Sequence, residues 1–224
     1  MVSIIVPTLN EEIRVGATLR ALLDLSGERE VVVSDGGSED RTVEIAESLG
    51  VRVIQSGRGR GSQMQAAARE TQGDALWFMH ADTRPEAGAV EQIEQALRDP
   101  LVAGGNFSLV FEGVHYSARQ MTWIYPYLRR LGLSYGDAGI FIKRTVYDAI
   151  GGCRPYPLFE DLDLVRRLRH HGRFLHLKAR VFTSSRRFEG PQYAKVWALW
   201  ITLQLLYWVG VSPYRLARWY RHAR

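Results

Sequence analysis

The chain has 224 residues, 46% of them hydrophobic, a formal net charge of +5 and one cysteine. That length suits one domain, or one domain with an appendage, and the apolar content can bury a full core, which excludes a disordered chain. The single Cys153 excludes an internal disulfide framework and any cysteine-built zinc cluster, and it reads as a small core residue.

In chain order, Val2–Pro7 is a fully apolar run of the kind that a parallel sheet buries on both faces. Val15, Leu19, Leu22 and Leu23 fall at helical spacing and predict a helix over Glu12–Leu25. Val31–Ser34 predicts a second strand, Thr42–Leu49 a second helix and Val51–Gln55 a third strand. A glycine-rich loop, Ser56–Ser62, leads into a helix predicted over Gln63–Thr71. Ala75–His80 reads as a fourth strand and Gly88–Arg98 as a helix. This alternation predicts an α/β fold with a doubly wound, mostly parallel sheet and right-handed crossovers. Past residue 100 it loosens. Strands are predicted at Gly104–Phe111, Ala138–Ile142, Phe174–Leu177 and Arg180–Thr183, and helices at Tyr116–Leu131, Thr145–Ile150 and Leu162–Arg169.

Several polar turns sit where these strands end, which is where open α/β sheets bind ligands. The first is Pro7-Thr8-Leu9-Asn10-Glu11-Glu12, where Asn10 also suits a helix cap. The second is Asp35-Gly36-Gly37-Ser38. A carboxylate there accepts a hydrogen bond from a pyrimidine N–H, or it caps the next helix, a role that Ser38 and Asp40 fit better. The loop Ser56-Gly57-Arg58-Gly59-Arg60-Gly61-Ser62-Gln63 offers backbone N–H groups and arginines to a diphosphate, without a Walker or Rossmann signature. His80-Ala81-Asp82-Thr83 ends the fourth strand, and Phe159-Glu160-Asp161-Leu162-Asp163 precedes a basic helix.

Together these turns resemble family 2 glycosyltransferases over roughly residues 1–190, which implies a GT-A fold and an inverting enzyme that uses a nucleotide-diphosphate sugar. The resemblance assigns Pro7, Thr8, Glu11, Asp35, Arg58, Gly59, Gln63 and Ala81 to the nucleotide, with Asp35 reading uracil, so that UDP is the expected carrier and GDP the alternative. It makes Asp82 the ligand of a divalent Mn2+ or Mg2+ ion. His80 stands where the family has a first aspartate; manganese tolerates imidazole, whereas magnesium prefers oxygen. Asp161 is implied as the catalytic base with Glu160 beside it, while Asp163 caps the helix or pairs with Arg166 or Arg167. Arg186 and Arg187 suit the diphosphate, with a solvated basic loop as the alternative. Gly105 suits the acceptor side, with close packing as its alternative. The rival functions are a nucleotide-sugar-binding protein with weak or lost catalysis and a nucleotidyltransferase.

Basic residues are concentrated toward the end. Eight Lys or Arg and no acid lie between Leu164 and Phe188. Such a bias expects an anionic partner, and no nucleic-acid motif accompanies it. Residues 191–224 form a second segment. Val196–Val211 is apolar and aromatic, short of the roughly twenty residues of a spanning helix. Arg215, Arg218, Arg221 and Arg224 then recur at spacing three beside Trp219 and Tyr220. Aromatics next to arginines suit a membrane headgroup region, or the segment packs on the catalytic domain or a partner subunit. The N-terminus lacks a basic n-region and its apolar run stops at Pro7, so the expected location is the cytoplasm or its membrane face, and the acceptor includes lipid-linked hydroxyls.

Overall fold

The computed structural model describes residues 1–130, 133–189 and 193–222, without the side chains of Arg187, Arg221 and His222. The first apolar run forms strand β1 (Val2–Thr8), followed by α1 (Val15–Leu23), β2 (Arg29–Asp35), α2 (Thr42–Ser48) and β3 (Arg52–Gln55). The glycine-rich loop leads into α3 (Arg60–Glu70), and β4 (Ala75–Phe78) follows. Strands β1, β2, β3 and β4 pair in parallel, and the register sets Thr8 opposite Asp35 and Ile5 opposite Phe78. All four strand ends therefore open on one edge, where the predicted turns gather.

A short strand, β5 (Thr83–Pro85), which the sequence does not predict, precedes α4 (Ala89–Leu97) and the long β6 (Val102–Glu112). Then come α5 (Tyr116–Arg130), β7 (Ile140–Lys143), α6 (Arg144–Ala149), α7 (Glu160–Leu168) and β8 (Arg173–Ser184). The eight strands lie in the order β3-β2-β1-β4-β7-β6-β8-β5. The pairs β4–β7, β7–β6 and β8–β5 are antiparallel, whereas β6 and β8 run parallel. The two short strands predicted at 174–177 and 180–183 are one strand. Its pairing with β6 shifts register between Asn106 and Ser108, and that irregularity separates the two apolar runs.

Successive side chains of β1 face opposite ways, as a strand requires. Ile4 and Val6 join a core with Leu19, Leu22, Ile93, Phe107 and Met121, while Ile5 joins one with Met64, Ala67, Leu164 and Leu168. Helices thus cover both faces of the sheet. The last helices, α8 (Tyr193–Trp208) and α9 (Pro213–His222), add a third cluster, in which Leu203, Leu216 and Ala217 pack on Leu158, Phe159 and Leu162. Trp208 on α8 is 57% exposed, and among the described residues no helix is long and apolar enough to cross a membrane.

Candidate active site

The strand ends enclose a polar cleft of about 250 Å³. Pro7, Thr8, Glu11, Arg58, Gly59, Gln63, Ala81, Asp82, His80 and Arg186 all line it, so the structure brings together most of the residues expected at the nucleotide and metal. Strand β5 closes the far wall. Thr83 pairs with Thr183, their hydroxyls 2.9 Å apart, and this draws the end of β8 over Asp82. One nitrogen of Arg186 then lies 2.7 Å from Glu11 Oε1 and 3.3 Å from Asp82 Oδ2. Arg187 falls on the same short turn, and its side chain lies outside the described residues.

Asp35 is 1% exposed and does not line the cleft. Its carboxylate accepts from the Gly37 and Ser38 backbone N–H groups at 2.9 and 2.8 Å, and from the hydroxyls of Ser38 and Thr8 at 2.6 and 3.0 Å. Four donors fill a carboxylate's roughly four acceptor sites. Asp35 therefore holds its own turn, while the start of α2 is served by Asp40, as expected, whose Oδ1 accepts from the Thr42 N–H at 2.9 Å. Gln63 is likewise structural in part. Its side-chain amide donates to the Thr8 and Ser34 carbonyls at 2.6 and 2.9 Å, which ties α3 to β1 and β2.

Gly105 lies away from both the cleft and the cavity beside it. A Cβ there would stand 2.4 Å from the Leu175 carbonyl and 2.6 Å from the Phe141 ring. Close packing of β6 between β7 and β8 requires this glycine, which corrects its placement at the acceptor.

His80 links two groups that the sequence reading did not assign. Its Nδ1 is 2.7 Å from Asp137 and its Nε2 is 3.1 Å from Arg60. Arg60 in turn lies 2.6 Å from Glu160. Helix α3 starts at Arg60, inside the predicted loop, because Gly59 turns the chain at φ 119° and the Arg60 guanidinium meets the buried Glu160. Arg60 was visible as part of the cationic loop, but only the fold sets it and Asp137 on one imidazole.

With both ring nitrogens engaged, His80 can bind a metal only by releasing one partner. Among the described residues no three His, Cys, Asp or Glu side chains converge as a metal site. Asp82 remains as a carboxylate at the cleft wall, 3.3 Å from Arg186. That donor set fits a hard divalent ion completed by water and substrate phosphates.

The three acids at the start of α7 have separate fates. Glu160 is 2% exposed; burial raises its carboxyl above the ordinary range, with Arg60 pulling the other way. Burial works against the charge on Arg60, but Glu160, Asp161 and Asp137 outweigh it and hold the guanidinium protonated. Asp163 is clamped by Arg154 at 3.1 Å and Arg167 at 2.8 Å. Asp161 makes no ion pair among the described residues. It accepts from the Gly136 N–H at 2.7 Å and lines a second, apolar cavity that shares Arg60, Asp137 and Phe188 with the cleft. A Cβ at position 136 would lie 3.0 Å from His80 Nε2 and 3.3 Å from Asp161 Oδ2, so glycine lets the three groups close up. Phe159, just before them, is held at φ 63° by its packing on Trp200 and Tyr207. For a bulky residue this is a strained conformation, and it aims the first turn of α7 at the junction of the two cavities.

Comparison with known proteins agrees with this geometry. The chain is 24% identical over 225 residues to the probable glycosyltransferase YdaM of Bacillus subtilis, covering 89% of this chain and 52% of that protein. It is 28% identical over 201 residues to the beta-monoglucosyldiacylglycerol synthase of Synechocystis, covering 76% of this chain and 40% of that one. The chain thus spans about half the length, or less, of these curated relatives. Among solved structures, the mannosyltransferase PcManGT from Pyrobaculum calidifontis, in complex with GDP-Man and Mn2+, superposes with a TM-score of 0.71 at 19% identity, covering 92% of this chain and 61% of that one. Glucosyl-3-phosphoglycerate synthase from Mycobacterium tuberculosis, with Mn2+ and UDP-glucose, gives 0.62 at 17%, covering 92% and 78%. These likenesses show the GT-A fold. The Glycosyl transferase family 2 model matches residues 3–159, and the chain belongs to that family.

Proposed function

We propose that this chain transfers a sugar from a nucleotide-diphosphate sugar, with UDP as the preferred carrier, to a hydroxyl acceptor with inversion at the anomeric carbon. The observation that carries the reading is the sorting of the three acids on α7. Glu160 and Asp163 are held by arginines, while Asp161 sits where the polar cleft meets the apolar cavity.

The donor's diphosphate lies in the cleft beside Arg58 and Arg186, whose guanidinium groups suit phosphate oxygens. Asp82 would hold a divalent ion there, which when bound neutralises charge on the departing diphosphate. The acceptor hydroxyl approaches from the opposite side. Its oxygen bonds to the anomeric carbon, the carbon–oxygen bond to the diphosphate breaks, and the electron pair leaves with the nucleotide. The hydroxyl proton passes to Asp161, whose Oδ2 and Oδ1 accept from the Gly136 and Leu162 N–H groups, each at 2.7 Å, and are held in place by them. His80 and Asp137 position Arg60, and Arg60 neutralises Glu160 so that a second negative charge does not crowd the base.

The relatives' metal and nucleotide complexes favour this reading over a nucleotidyltransferase, and release of UDP rather than pyrophosphate distinguishes the two. The exposed Trp123, Tyr127, Leu205 and Trp208 on α5 and α8, with Arg215 and Arg218 on α9, support contact with an anionic membrane surface. The decisive experiment is Asp161→Asn, which keeps shape and removes basicity. Turnover should fall by at least about a hundredfold with UDP affinity maintained. Near-normal transfer, or parallel loss of UDP binding, would rule Asp161 out as the base.

A further inference from the structure

The cavity beside the cleft holds about 90 Å³ and differs from the cleft in kind. Its walls are apolar and largely aromatic. Phe111 meets Tyr125 edge-on with ring centroids 6.5 Å apart, and meets Phe188 at 6.0 Å. Phe188 in turn contacts Trp197 at 6.4 Å, and Phe159 contacts Trp200 at 6.0 Å. These rings form a collar supplied by β6, α5 and α8, by the short turn after β8 and by the residue before α7. The charged groups of this cavity, Arg60, Asp137 and Asp161, include the two that it shares with the cleft. The Trp197 and Trp200 indole N–H groups and the Tyr125 hydroxyl, all in the collar, are buried with no hydrogen-bond partner among the described residues.

Apart from those three groups the collar is hydrocarbon, so a sugar or other polyhydroxyl body buried here would leave most of its hydroxyls unpaired, at a cost of about 1–3 kcal/mol for each. An apolar body gains by the same burial, at roughly 25 cal/mol per Å² removed from water. Its one polar end would have to lie among the charged groups, where Asp161 is. Ligand pockets of this kind, apolar with a few convergent polar groups, fix orientation through those groups.

We infer that the aromatic cavity is the acceptor subsite and that it takes the head of an amphiphilic alcohol such as an isoprenoid: the cavity's volume of about 90 Å³ admits the hydroxyl and the first few carbons, the rest of the chain lies outside it, and the hydroxyl is delivered to Asp161. The inference rests on the transferase reading for the role of Asp161, while the collar itself selects the ligand class. Helices α8 and α9 thereby acquire a function. α8 contributes Trp197 and Trp200 to the collar, and α9 packs Leu216 beside Leu158 and Phe159 to hold that wall.

The test is equilibrium binding of farnesol, with glucose and glycerol as polar controls and UDP as a separate ligand. Wild-type protein is compared with Met121→Phe and Leu128→Phe, which fill the cavity from α5 without touching the cleft. Farnesol should bind saturably to the wild type and at least about tenfold more weakly to both variants. UDP affinity should stay constant, which also shows that the variants are folded. Equal farnesol affinity in all three proteins would overturn the assignment, as would binding of glucose or glycerol that the fillings abolish. If UDP binds and farnesol does not, the cavity is not an apolar acceptor site and the transferase reading stands. If farnesol binds as expected and UDP does not bind at all, the acceptor role falls together with that reading, and only an apolar binding cavity remains.

Discussion

Arg60→Met is the most informative single change outside the proposed chemistry. It keeps much of the side chain's length and removes the cation 2.6 Å from Glu160. The Glu160 side chain is 3% exposed and the Arg60 side chain 34%, because Arg60 borders the cleft. Breaking a buried pair by deleting one partner typically costs 3–5 kcal/mol. Water entering from the open side of Arg60 should hold the loss near the lower end, about 3 kcal/mol at pH 8. The pH dependence fixes the cause. Burial already raises the Glu160 carboxyl, and losing Arg60 raises it further. A folded state that holds its proton more tightly than the unfolded chain loses stability as pH rises from the unfolded value toward the folded one. The variant should therefore be less impaired at pH 5 than at pH 8, by roughly 1 kcal/mol. Urea unfolding at both values measures this. Adding Glu160→Gln should restore most of the loss, since a neutral amide no longer needs the cation. A loss under about 1 kcal/mol at pH 8, or no rescue by Glu160→Gln, would refute the view that this pair is a buried charge held by its partner.

Asp35→Ala should act twice. It strands the Gly37 and Ser38 donors, costing about 2–4 kcal/mol of stability, and it should weaken UDP by about 1–3 kcal/mol; unchanged affinity in calorimetry would leave Asp35 a purely structural turn residue. Donor binding should need a divalent ion and lose that dependence in Asp82→Ala, so undiminished UDP-sugar affinity and turnover in EDTA would remove the metal from Asp82. Flotation with anionic vesicles at low salt should carry the protein, with roughly 1 kcal/mol from each arginine at the surface; failure to float would leave the exposed aromatics of α5 and α8 without a membrane role.

Local pattern determined much of this protein. The run Val2–Pro7 had to be a buried strand, because six apolar or small residues in a row leave no solvated face. The parallel half of the sheet and the location of the polar turns at its strand ends followed from alternation alone, and Pro7, Thr8 and Asp82 were legible as candidates because each sits in a motif beside such an end, whereas Asp161 was marked by an acidic run before a basic helix. Tertiary structure decided what those residues touch. Asp35 looked like a free reader at a strand end, yet the parallel register sets Thr8 opposite it, and its own turn supplies three more donors. His80 looked like a displaced metal ligand, and only the approach of Asp137 and Arg60, residues 57 and 20 positions away, engaged both of its nitrogens. Gly105 gave no local sign that Leu175 and Phe141 would press on it from neighbouring strands. Residue chemistry alone could not choose among Glu160, Asp161 and Asp163, and only the family resemblance singled out Asp161, because adjacent carboxylates are chemically equivalent until long-range partners arrive. A helical turn points them in different directions, and arginines from α3, from α7 and from the segment before it claim two of them. The third is left at the meeting point of a polar cleft and an aromatic cavity, a juxtaposition of residues more than a hundred positions apart that no local pattern encodes.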